Sequence, residues 1–229
     1  NFGESPCAFK LRTSVACLSL TKGYMDELVS TMYNNRMEEL TQKADPPFIF
    51  GYGYYGTFFV SDTKDSWSTM SYAMNKDGIE KALGALVAEN KRMQQYGFTA
   101  SEFERAKADL MKRIENQYDE RDKQETGRYL NPILSHFLTN EPMMGIENEY
   151  MLLSQILPAL PVEAINQYVP ELIREDNIVI TLTAPEKEGE VLPTKAELLA
   201  MFNKAKEVEV EPYKETVSNE PLIATPPVK

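Results

Sequence analysis

Metal-dependent hydrolysis needs side chains that nearly close a zinc shell while leaving one position open for water. The chain offers one histidine for that task, His136. Both His-Glu-x-x-His and the inverted His-x-x-Glu-His place two imidazoles one helical turn apart, so neither can be written here. Cys7 and Cys17 lie far from His136 in sequence and form no Cys-x-x-Cys pair; a disulfide between them would need a hairpin at that end. A histidine-based zinc site of either kind is therefore excluded by counting. With Leu134 and Phe137 beside it in a helical pattern, His136 reads as a packed or capping imidazole.

Other chemistries fare no better. There is no Gly-x-Ser-x-Gly elbow, and the histidine lacks a persuasive Ser or Cys partner. Gly51-Tyr52-Gly53-Tyr54-Tyr55-Gly56 is glycine-rich but has no Lys-Ser/Thr ending, and it lies within an aromatic strand where a phosphate loop needs a helix N-terminus. Glu147 and Glu149, two apart on a helix, point away from each other and read as solvated. The aromatic run differs, because Tyr52, Tyr54 and Phe58 can offer rings and strand-edge groups to an extended peptide. Ordinary hairpin and core packing is the competing reading of the same rings.

The elements that must position these residues follow from periodicity and punctuation. Residues 7–20 mix apolar and small polar positions and suit an edge strand or hairpin. From Tyr24 to Lys43, Met25, Leu28, Met32, Met37 and Leu40 recur at helical spacing, and Asp45-Pro46-Pro47 ends that helix. Residues 48–60 read as a strand, paired with a second over Trp67 to Met74. Its three glycines suggest a bulge or a close backbone approach. Asp77 is expected to cap the next helix, which stops near Gly97. Thr99 and Glu102 form a capping box for a helix carrying Phe103, Ala106, Leu110, Ile114 and Tyr118. Helical patterns follow near Leu130–Leu138, with a break or a new first turn at Pro132, then over Ile146–Leu157 and Val162–Ile173. The β-branched run Asn177 to Thr183 reads as a buried strand. Together these give an α+β fold, a mixed or mainly antiparallel sheet covered by helices. Residues 1–185 form the domain; 186–229 add a charged helix at Lys195–Ala205 and a Pro-containing linker-like tail.

Charge narrows the partners. Thirty-five acids against 24 bases leave a net −11, which repels a phosphate backbone or an anionic membrane and favours basic peptides. No apolar run is long enough to span a bilayer. A chain that opens on Asn1 reads as a piece of a longer protein.

One stretch adds a resemblance. Tyr96-Gly97-Phe98-Thr99-Ala100-Ser101-Glu102-Phe103-Glu104-Arg105-Ala106-Lys107-Ala108-Asp109-Leu110 resembles a Gly-Phe-Thr…Ala-Lys…Leu segment of the insulinase/pitrilysin family of zinc peptidases. Asn35 to Lys43 resembles that family's arginine-bearing helix, Gly145 to Tyr150 with Leu157 and Val162 its later helices, and Asn177 to Thr183 its closing strand. The likeness covers about residues 24 to 185, and the order of the segments makes it specific.

That resemblance implies a metallopeptidase-type α+β domain, one of two in each half of a clam shell that encloses peptides. In such proteins only the first domain carries His-x-x-Glu-His and zinc. This chain would be the non-zinc second domain of a longer bacterial-type member: no cofactor of its own, no catalytic residue, zinc in the preceding domain, and neighbouring peptidase domains and peptide substrates as partners. The far-half Arg and Tyr of the family fall at Thr41 and Phe48, so the resemblance assigns no substrate-polarising pair either. Were the parent an exported bacterial peptidase, the periplasm or cell envelope would be its compartment. The alternative is an inactive structural or assembly homologue, or a peptide-binding module without proteolysis.

Overall fold

The computed structural model describes residues 6–57, 65–123, 125–139, 143–174, 176–185 and 191–215. Its first element is one long helix, α1 (Pro6–Thr41), whose second half turns Leu28, Val29, Met32, Tyr33 and Met37 to a single face, all fully buried. Burying each such side chain contributes roughly 1.5–3 kcal/mol relative to leaving it in water. The expected strand or hairpin at residues 7–20 is therefore a helix. The physical reason is that extending an existing helix adds one hydrogen bond per residue fixed, with no new nucleus to form. Cys7 and Cys17, ten positions apart on that helix, are separated by about 15 Å of rise, well beyond disulfide reach.

After the Pro46-Pro47 turn, Phe48 is fully buried, and β1 (Phe50–Thr57) pairs antiparallel with β2 (Asp65–Tyr72) in the register Phe50↔Tyr72, Tyr52↔Met70, Gly53↔Thr69 and Tyr55↔Trp67. Two of the three glycines are explained by α1, which crosses the inner face of the hairpin. A Cβ on Gly51 would lie 2.5 Å from the Met37 Cε, and one on Gly53 would lie 2.7 Å from the Tyr33 ring. They mark close approach, without a bulge in the register.

A short 3-10 turn, capped by the Asn75 side chain rather than by Asp77, leads into α2 (Ile79–Tyr96). Asn75 has the extended backbone a cap needs, while Asp77 already lies inside the turn. Helix α3 (Ala100–Asp119) opens on the expected capping box, Thr99 accepting from the Glu102 N–H and Glu102 from the Thr99 N–H. Helix α4 (Thr126–Thr139) runs through Pro132, giving up one backbone bond where a break or a new first turn was expected, and His136 is exposed on it. Helices α5 (Ile146–Ala159) and α6 (Val162–Leu172) then cover α3, α2 and α1, joining Leu153, Leu157, Ile165 and Val169 to one core with Phe103, Leu110 and Ile114.

Residues 177–183 are not a strand. Asn177 takes a positive φ of 58°, and the run that follows is open to solvent, Val179 at 64%. β-branched residues favour a pleated surface only where a neighbouring strand supplies hydrogen bonds, and no described residue pairs with this segment. The last helix, α7 (Lys195–Glu207), carries its own capping box at Thr194 and Glu197 and packs on α2. No helix among the described residues is long and apolar enough to cross a membrane.

Candidate functional site

Helix α1 fixes the hairpin from below. The Asn34 side-chain amide donates to the Gly53 carbonyl at 3.0 Å while its oxygen accepts from the Gly53 N–H at 2.7 Å, so one side chain satisfies both backbone groups. Tyr33 meets Trp67 edge to face with centroids 5.1 Å apart, and the Trp67 indole donates to Asn90 Oδ1 at 2.8 Å, tying β2 to α2.

With the inner positions occupied by Gly51, Gly53 and Tyr55, strand alternation sends Phe50, Tyr52 and Tyr54 to the outer face. Their rings follow one another at 5.6 Å and 6.1 Å, the second pair stacked. Met70 and Tyr72 complete the patch across the hairpin, and Phe50, Tyr54, Met70 and Tyr72 are all 40–60% exposed. The structure thus places Tyr52 and Tyr54 together on an open aromatic surface, whereas Phe58 lies outside the described residues. Strand alternation carried that signal; the reason the opposite face is glycine came only from α1.

A second arrangement lies beneath. Arg36 follows Val29 and Met32 on the buried face of α1 and is itself 2% exposed. Its guanidinium makes two bonds to Glu102, Nε to Oε1 at 2.6 Å and Nη2 to Oε2 at 2.9 Å. Nη1 reaches Glu89 Oε1 at 3.2 Å, and Nη2 also donates to the Gly97 carbonyl at 2.9 Å. The rings of Phe98 and Tyr213 lie over it at 4.7 and 4.4 Å. Burial pushes the guanidinium pKa down, but Glu102 and Glu89 outweigh it and hold the group above its ordinary value. This cluster went unread as a group in the sequence. Its signal is present there: Arg36 and Glu89 both occupy apolar positions of their helices, Glu89 between Leu86 and Met93.

Thr41 and Phe48, the positions matched to the family's Arg and Tyr, are both engaged within the domain. The Thr41 hydroxyl donates to the Glu38 carbonyl at 2.7 Å, and Phe48 is sealed in the core beneath Gly51. Glu147 is exposed, 3.7 Å from Arg121. Glu149 is half-buried, and burial raises its pKa. Ten residues before Arg36 on α1, burial raises the Asp26 pKa against the lowering effect of the hydrogen bond from the Tyr168 hydroxyl.

No group of three or more His, Cys, Asp or Glu side chains among the described residues is placed to hold a metal ion. Glu89 and Glu102, brought together on Arg36, are already paired with Arg36 and Arg92. The donor set among the described residues does not fit catalytic zinc.

Comparison with known proteins agrees with the architecture. No family profile matches the chain. It is 25% identical over 181 residues, 77% of its length, to a zinc protease PQQL-like protein of Arabidopsis thaliana, of which it spans 16%. The first half of the periplasmic protease PqqL from Escherichia coli superposes with a TM-score of 0.67 at 16% identity, over 87% of this chain and 42% of that one. A predicted insulinase family protease from Yersinia pestis gives 0.65 at 12% identity, over 83% and 40%. The order of helices around an antiparallel hairpin and these partial matches lead to one conclusion: the chain has an insulinase/pitrilysin-like fold and is similar to one part of zinc proteases of that family.

Proposed function

We propose that the chain is a non-catalytic domain of a zinc metalloendopeptidase, packing beside a zinc-bearing domain and forming part of the wall that encloses peptides. One combination carries the reading: a protease-type fold whose single histidine and neutralised acidic pair leave no ligand set for the metal among the described residues. In this role the domain contributes surface, and the aromatic face of the hairpin is the surface suited to it. Exposed tyrosines present a flat apolar body with a polar tip, which accepts varied side chains at low cost in conformational entropy. The net −11 adds long-range attraction for basic peptides.

In the full-length protease, Tyr52→Ser/Tyr54→Ser is expected to raise KM for peptides about fivefold, the equivalent of about 1 kcal/mol of lost contact, with kcat and zinc content unchanged. Uniform loss of binding has that kinetic form. An unchanged KM with a weakened association between domains would instead assign the face to packing, as in the structural homologue reading.

A further inference from the structure

After α7 the chain does not leave the domain. Residues 208–215 run extended over α2 and α3, held mainly by side chains that read main-chain oxygens. Lys91 Nζ donates to the Lys206 and Val208 carbonyls at 3.0 and 2.7 Å, the Tyr96 hydroxyl to that of Val210 at 3.1 Å, and Arg92 Nε to that of Glu211 at 2.9 Å. Carbonyl contacts of this kind are indifferent to the side chain passing over them. Two further contacts do select. The Tyr213 ring covers the Arg36 guanidinium while its hydroxyl donates to both Glu39 carboxylate oxygens at 2.7 and 2.8 Å. Two residues on, the Glu215 carboxylate pairs with Arg105 and accepts from the Ser101 hydroxyl at 3.2 Å.

We propose that this face of α2 and α3 is a recognition site for an extended, acidic, tyrosine-bearing peptide, and that residues 208–215 occupy it in cis as a displaceable latch. The division of labour supports it. The segment adds no fully buried side chain of its own; Tyr213 is only half-buried. Apart from the buried Arg36 beneath Tyr213, its charged anchors Lys91, Arg92 and Arg105 lie at or near the surface, where they hold the segment in register but are weakened by salt. A peptide with a tyrosine and, two residues later, a carboxylate would meet the same contacts. The segment's tethering gives it an effective concentration in the millimolar range, so that a competitor succeeds only when the latch is weakened.

The test uses the whole chain and a fluorescent peptide with the sequence of Lys206–Glu215. The peptide is expected to bind Tyr213→Ala/Glu215→Ala at least tenfold more tightly than wild type, and adding Arg92→Ala to that variant should abolish the gain. Equal binding to both forms, or none to a variant with wild-type circular dichroism, would overturn the proposal. A second measurement needs no variant. Cleavage of the wild-type chain by a glutamate-specific protease at Glu209, scaled to the free peptide, should rise several-fold between 0.05 and 0.5 M salt while helicity stays constant. Cleavage that appears only with global unfolding would show that the segment is a fixed part of the body.

Discussion

Arg36→Ala is expected to lower the unfolding free energy by about 3–5 kcal/mol, the usual cost of removing one partner from a buried charge pair. The substitution strands two carboxylates in the core, leaving Glu102 only its cap on the Thr99 N–H and Glu89 only Arg92. It also uncovers the Gly97 carbonyl and separates the Phe98 and Tyr213 rings. Because the group is buried, added salt should not restore stability. Arg36→Lys should recover only part of the loss, since an ammonium cannot make the paired Nε and Nη2 bonds to Glu102. Glu89→Gln should cost less than Arg36→Ala, the Arg36–Glu102 pair remaining intact. Urea unfolding of the set, read at constant m, is the check; a loss below about 1 kcal/mol for Arg36→Ala would mean that water reaches the cluster.

Gly97→Ala is expected to cost about 3 kcal/mol or more, from backbone strain together with disrupted hydrogen bonds. Gly97 sits at φ 66°, ψ −148°, a region that side chains disfavour, and its added Cβ would fall 2.3 Å from Asn166 Oδ1. Asn166 cannot simply move aside. Its amide accepts from the Phe98 N–H at 2.8 Å and donates to the Phe98 carbonyl at 3.0 Å, fixing the α2–α3 turn to α6. Asn166→Ala added to Gly97→Ala should relieve the clash but leave the strain, so the double variant should be more stable than the sum of the two single losses implies. Thermal unfolding of the four proteins measures that coupling, and strict additivity would contradict it.

How far the sequence could be read depended on whether a signal was local. The Thr99–Glu102 capping box spans four residues and carries its own hydrogen bonds, and the helix it predicts begins there. The hairpin is also local, two aromatic or alternating runs joined by a polar turn, and its register follows from pairing alone. Asn177 to Thr183 failed for the opposite reason: side-chain branching is local, but a strand requires a partner from elsewhere. Residues 7–20 were misread because a short window hides the helix that continues from α1 behind them. In the candidate site, the sequence left the rings of Tyr52 and Tyr54 between core packing and an open face, and it is α1 on the opposite face of the hairpin that turns them outward. The Arg36 cluster was not legible, since it joins three helices and a segment beyond residue 205 that periodicity treats separately.

The central claim is that this chain is wall and not catalytic centre. Its most direct test is the zinc content and peptide cleavage of the purified chain, alone and mixed with the zinc-bearing segment of a protease that contains it. Alone, the chain is expected to hold no stoichiometric zinc and cleave nothing, and His136→Ala should change neither result; with the zinc-bearing segment, both metal and cleavage should be present. Stoichiometric zinc and chelator-sensitive cleavage by this chain alone would contradict the account.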